Sequence, residues 1–201
     1  MRWFTLIVGA LALVGCSAEV KNWAENQPIV NERASDRLAA NHVNVRLANF
    51  VDARLPVAYA QKPDDDIIFE YTPEQLTQGN LMDMLQAYVG NNLPEVYNPV
   101  HNMVLDVKVK NVRTVILEGS FMSGAFGRYV VQIDAEVKTV NTTTNNQVFK
   151  SEVSVTTQAT RGPSGGRHPT EAMDELAMRQ LLKQAGQDFA NKVVREIASR
   201  F

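Results

Sequence analysis

The 201-residue chain holds one cysteine, three histidines and two tryptophans, and its formal charge is only −2. Each shortage closes off a class of protein. The lone cysteine, Cys16, has no disulfide partner within the chain. The histidines His42, His101 and His168 are scattered, whereas metal ligands come at tight helical or hairpin spacing, so no metal site is expected. Near-neutral charge without a strongly basic window removes the electrostatic footprint of a nucleic-acid binder, and no nucleic-acid partner is expected. Walker, dinucleotide-binding, zincin and nucleophile-elbow patterns are missing, and no nucleophile is marked out by an adjacent base. The expectation is a protein that is not an enzyme and takes no cofactor. Beyond the N-terminus no apolar run approaches the roughly 20 residues that a membrane-crossing helix needs.

What is present begins at that N-terminus. Met1-Arg2 supplies one positive charge, and Trp3 to Val14 carries none. A short basic region followed by roughly a dozen uncharged residues is the pattern of a secretory signal. It ends in Leu13-Val14-Gly15-Cys16, which resembles the lipobox of bacterial lipoproteins. That resemblance implies cleavage before Cys16, lipid such as palmitate on the cysteine, and attachment to a membrane. The alternative is an ordinary signal peptide with an incidental cysteine, which leaves an unpaired thiol in an exported protein unexplained. Residue 17 is Ser rather than the Asp that commonly retains Gram-negative lipoproteins at the inner membrane. The resemblance therefore implies the outer membrane, facing the periplasm, with the inner membrane as the alternative.

Residues 1–15 thus read as signal peptide, 16–38 as lipidated N-terminus and tether, and 39–201 as one periplasmic domain with a core of its own. Ser17 to Arg37 is polar and without a sustained period. Val43, Val45 and Leu47 alternate with Asn44 and Arg46 as a strand, and Ile67, Phe69 and Tyr71 read as one face of a shorter one. Between them, Asp64-Asp65-Asp66 lacks calcium-loop spacing and reads as a solvated turn. Thr72-Pro73-Glu74-Gln75 opens a helix through a capping box, with Leu81, Leu85 and Tyr88 as its stripe and Gly90 at its end.

Alternation then marks strands at Met103 to Lys110, continuing towards Leu117, at Tyr129 to Lys138 and at Phe149 to Val155. A final helix from Pro169 to Ser199 carries Leu182, Ala185, Phe189, Val193 and Ile197 at helical spacing. This order predicts an α/β (α+β) two-layer sandwich, a mainly antiparallel sheet of about four to five strands covered on one face by two helices.

Two loops carry the candidate contacts. Gly119 to Arg128 joins three glycines to apolar side chains, so Phe121, Met122, Phe126 and Arg128 are candidates for touching lipid or a protein partner. The alternative is that Phe121 and Phe126 fold back and plug one end of the sandwich. In the second loop, Arg161, Arg167 and His168 precede the long helix and are candidate anion contacts, against a plain basic linker.

The lipobox and the element order together resemble the small envelope lipoproteins that accompany ABC-type lipid transporters, the lipopolysaccharide-assembly lipoprotein and several uncharacterised proteobacterial lipoproteins. That resemblance implies a non-catalytic adaptor or accessory subunit in envelope transport, assembly or biogenesis, partnered by an envelope protein or lipid. A lipid-binding protein, or an envelope enzyme with a dispersed site, are the alternatives.

Overall fold

A computed structural model describes residues 30–55, 67–119, 127–162 and 169–201. The elements run α1 (Val30–Ala40), β1 (Val43–Asp52), β2 (Ile67–Tyr71), α2 (Pro73–Thr77), α3 (Leu81–Asn92), β3 (His101–Glu118), β4 (Gly127–Asn141), β5 (Gln147–Thr160) and α4 (Glu171–Ala198). The strands form one five-stranded sheet in the order β1-β3-β4-β5, and the helices pack on a single face of it. This is the α+β sandwich that the alternation implied.

β3, β4 and β5 form an antiparallel meander, with Val107 opposite Val137 and Ala135 opposite Val153. Buried Met103, Leu105, Val107 and Val109 give way to Val112, Thr114 and Ile116 after a bulge between Val109 and Asn111. The extra residue moves the dry face from odd to even positions, so a strand of 18 residues stays amphipathic throughout. The far edge of β3 is shared: β1 pairs with its first half in parallel, Val43 opposite His101, and β2 with its second half antiparallel, Tyr71 opposite Thr114.

The long helix α4 lies across β4 and β5. Thr170 caps it, its Oγ1 accepting the Met173 N–H at 3.4 Å, and Glu171 and Asp174 in the first turn oppose Arg195 in the last, complementing the helix dipole. Met178, Leu182, Ala185, Phe189, Val193 and Ile197 are buried as the sequence spacing indicated. At about 1.5–3 kcal/mol for each fully buried large side chain, this stripe is a principal source of stability. The opposite face of the sheet is wet and held by a lattice of Lys108, Lys110 and Lys150 around Glu136, of which Lys150–Glu136 is 2.9 Å.

Three readings of the sequence need correction. The tether reading of 16–38 fails from Val30 onward: α1 is helical, with Leu38 fully buried and Ala34 against the core, so more than two helices cover the sheet. The single helix expected after Thr72 is two, because Gln78 and Gly79 take positive φ of 54° and 85° and turn the chain before Leu81. Glycine tolerates that region freely, and Gly79 N–H closes α2 on Glu74 O at 2.8 Å. In β2 only Tyr71 is buried; a bulge between Ile67 and Phe69 breaks the expected common face and leaves Phe69 47% exposed.

Candidate functional site

The strand ends that lead into the two loops singled out in the sequence lie side by side. β3 and β4 are paired to their limits, Glu118 opposite Gly127 and Leu117 opposite Arg128. Arg128 in turn lies opposite Thr160, and the Arg161 N–H donates to Gly127 O at 2.9 Å. On the other side of β3, Ile67 at the start of β2 lies opposite Leu117, at the same end. Of the candidates, Phe121, Met122, Phe126, Arg167, His168 and Cys16 lie outside the described residues, as does the acidic run. Arg128 and Arg161 are described, and they part company: Arg128 is exposed, while Arg161 turns inward.

Backbone conformation fixes this end. Gly127 has φ of 133°, and a Cβ there would sit 2.1 Å from Leu117 O. Only glycine fits both the angle and the approach. Its position therefore sets where the first loop begins its return.

Beneath the loop mouths lies a cluster that sequence reasoning did not assemble. Arg161 grips Asp174 with two contacts, Nε to Oδ1 at 2.9 Å and Nη2 to Oδ2 at 2.6 Å. Tyr129 O–H donates to the same Oδ1 at 2.6 Å. Asp174 is 5% exposed and Tyr129 6%. Burial works to raise the Asp174 carboxyl, but hydrogen bonds from Arg161 and Tyr129 outweigh it and hold the group below its ordinary value. Burial, then the Asp174 hydrogen bond and charge, push the Tyr129 phenol well above its ordinary range. Arg161 is raised chiefly by its bond to Asp174.

A carboxylate engaged on both oxygens by groups from different elements holds those elements together. The guanidinium proposed as an anion contact receives its carboxylate from within the fold. The cluster ties the first turn of α4 to the start of β4 and the exit of β5. Its sequence signal was a tyrosine at the end of a dry strand face, since a buried phenol needs a partner for its polar tip.

The two described histidines lie where α1, β1 and β3 meet. His42, at φ of 52° between α1 and β1, presents its carbonyl to the N–H groups of Val100 and His101 at 2.9 and 3.2 Å. The His101 ring lies 5.8 Å from that of Phe201. Among the described residues no three His, Cys, Asp or Glu side chains gather as a metal site would require.

Among the described residues, open grooves lie at both sides of the sheet. One, of about 370 Å³, runs beside Asn44–Leu47 below Gly90 and Leu93–Glu95. The second, of about 350 Å³, lies between Ser154–Thr156 of β5 and Asp188, Lys192 and Arg195 of α4.

No family model matches the chain, and no curated protein matches it. Among solved structures, it is similar to a candidate lipoprotein from Caulobacter crescentus CB15 at 9% identity and TM-score 0.40, covering 83% of this chain and 96% of that one. A minor lipoprotein from Acinetobacter baumannii aligns at 12% identity and TM-score 0.38, covering 77% and 94%. A Xanthomonas campestris protein of the family DUF330 aligns at 10% identity and TM-score 0.34, covering 79% and 84%. At these scores none of the three carries an argument about this chain.

Proposed function

We propose that this protein is a membrane-anchored, non-catalytic envelope lipoprotein that serves as an adaptor or accessory subunit in envelope transport or assembly. The observation that carries the reading is Leu13-Val14-Gly15-Cys16 at the end of a short basic and apolar leader, with Cys16 the sole cysteine. Two or more acyl chains anchor a protein stably where one does not, at about 0.8 kcal/mol per buried methylene. Ser17 favours the outer membrane, with the folded domain in the periplasm. Residues 17–29 then separate the lipid from α1. An adaptor suits a domain whose buried polar cluster is closed on itself and whose distinctive sequence lies in loops leaving one end of the sheet.

Growth with an alkyne-bearing palmitate tests the anchor. The wild-type protein should take up label and Cys16→Ser should not; label on the Ser variant, or none on the wild type, would overturn the reading. Crosslinking pull-downs from envelope membranes test the adaptor role. Transporter or outer-membrane assembly subunits should be recovered with the wild type and reduced with Cys16→Ser. Replacement of Phe121 and Phe126 by Ser should abolish that capture if the loop makes the contact, and unchanged recovery would remove the loop from it.

A further inference from the structure

We propose that the open edge of β5 is a self-recognition surface, on which β5 of a second copy pairs antiparallel about a two-fold axis through Val155. This is independent of the lipid anchor. It rests on the phase of the backbone hydrogen bonds, the composition of the edge and the charges beside it.

The phase follows from one bond. Arg161 N–H donates to Gly127 O in the same register that places Arg128 opposite Thr160. In an antiparallel ladder directly bonded pairs alternate with unbonded ones. Odd positions of β5 therefore bond to β4, and Lys150, Glu152, Ser154, Thr156, Gln158 and Thr160 direct both N–H and C=O away from it. Lys192 Nζ agrees, reaching Ser154 O from α4 at 2.7 Å. Among the described residues no strand lies on that side of β5.

Proteins commonly blunt such an edge with charge, proline or a bulge. From Ser154 to Thr160 the strand's own residues supply none of the three, the run being Ser-Val-Thr-Thr-Gln-Ala-Thr with no register shift; charge enters only with Lys150 and Glu152 before it and with Lys192 of α4 at the Ser154 carbonyl. The side chains of this run are short or neutral, so none hinders a strand approaching its free N–H and C=O groups.

Charge selects the occupant. α4 runs antiparallel to β5, with Thr157 O–H donating to Asp188 at 3.1 Å, Lys192 at Ser154, and Arg200 5.6 Å over the Phe149 ring. Asp188 thus stands on one side of Val155, and Lys192 with Arg195 on the other. Rotation about Val155 brings Asp188 of each copy towards Lys192 and Arg195 of its mate, across the groove of about 350 Å³ that these residues line. A two-fold interface must be complementary to itself, and this arrangement is. In the same register Ser154 meets Thr156, Glu152 meets Gln158 and Lys150 meets Thr160, so no like charges face each other. Lys192 exchanges the Ser154 carbonyl for the incoming carboxylate. An extended segment of a different protein is the other kind of guest for an open edge, but nothing in such a segment would call for charges of opposite sign placed on either side of one residue.

Val155 would face its own copy as an unbonded pair, with Cα atoms about 4.5 Å apart, within disulfide range. Full-length Val155→Cys, purified in detergent and mildly oxidised, should give a disulfide-linked dimer on a non-reducing gel. The wild type, with Cys16 alone, is the blank. Ala159→Cys, which would face Ser151, should not link; failure of Val155→Cys to link, or equal linking at Ala159, overturns the proposal.

The second variant, Thr156→Pro, deletes an outward N–H and no bond to β4. Light scattering should read twice the protomer mass for the wild type and half of that for Thr156→Pro, with melting temperature little changed. A monomeric wild type at the same concentration overturns the proposal. So does a co-purifying polypeptide of another protein that Thr156→Pro displaces.

Discussion

Gly186 of α4 lies directly against the ring of Tyr88 in α3: a Cβ on Gly186 would stand 2.9 Å from Tyr88 Cδ2 and 3.1 Å from Leu85 Cδ2. Glycine at a helix centre costs about 1 kcal/mol relative to alanine, and what it permits here is the close approach of two helices. Gly186→Ala recovers that propensity but overpacks the contact, at about 1–3 kcal/mol. Urea unfolding should show a net loss of about 1 kcal/mol, shrinking sharply in a Tyr88→Ala background. A net gain beside the intact ring would mean that the ring yields freely.

The Arg161–Asp174 pair should behave as a buried one, with the two side chains 15% and 8% exposed. Losing one member of such a pair costs roughly 3–5 kcal/mol, because the remaining charge stays desolvated. Asp174→Ala should therefore lose about 3 kcal/mol, and Tyr129→Phe, which removes one hydrogen bond to the carboxylate, about 1.5 kcal/mol. Losses below about 0.5 kcal/mol in both would be those of a solvated surface pair.

The same cluster sets a pH dependence whose sign is fixed. Asp174 titrates lower in the folded protein than in the unfolded chain, so its contribution is complete above the ordinary carboxylate range of about 4 and is lost as acid protonates the folded group. Tyr129 is shifted upward, so its contribution is complete below about pH 10 and is lost above it. Melting temperatures from neutral towards acid should fall less steeply for Asp174→Asn, and those towards strong alkali less steeply for Tyr129→Phe. Asp134 and Glu136 are also held low and should leave a residual acid slope. Parallel acid limbs for wild type and Asp174→Asn would count against the pairing.

Gly127→Ala should be among the most disruptive single methyl additions in the chain. It combines a positive φ of 133°, worth about 1–3 kcal/mol of strain for a residue with a side chain, with a Cβ driven to 2.1 Å from the Leu117 carbonyl. The start of β4 must then withdraw from β3, and a loss above about 3 kcal/mol is expected. Hydrogen exchange should locate the opening at Leu117, Arg128 and Arg161. Normal protection there would show that the strand ends are not held by this contact.

Much of the sheet was legible because each strand of the meander obeys a period of two, as Tyr129, Val131, Ile133, Ala135 and Val137 do. The α4 stripe was legible by the same logic at helical spacing. α1 was not, because its described side chains put only Ala34 and Leu38 in the core, among charged and polar neighbours. Its stripe is narrow, Val30, Ala34 and Leu38 at i+4 steps, and docking on β1 and α4 supports so short a helix. The division at Gln78–Gly79 was hidden because the apolar spacing around it suits one helix or two. As for the site, the adjacency of the strand ends that lead into the two loops needs the β4–β5 register, and the Arg161–Asp174–Tyr129 cluster joins distant positions that no local pattern relates.

The sharing of one edge of β3 by β1 and β2 also orders assembly. β1 has β3 as its strand partner among the described residues, and Val43 meets His101 only after 58 intervening steps of chain (101 − 43). β3, β4, β5 and α4 follow one another with near-neighbour contacts. Loop closure over long separations is slow compared with adjacent hairpins. A polypeptide delivered N-terminus first therefore presents β1 with both of its edges bare until β3 has followed it. The C-terminal half is the template, and the half nearest Cys16 is the last to be received onto it.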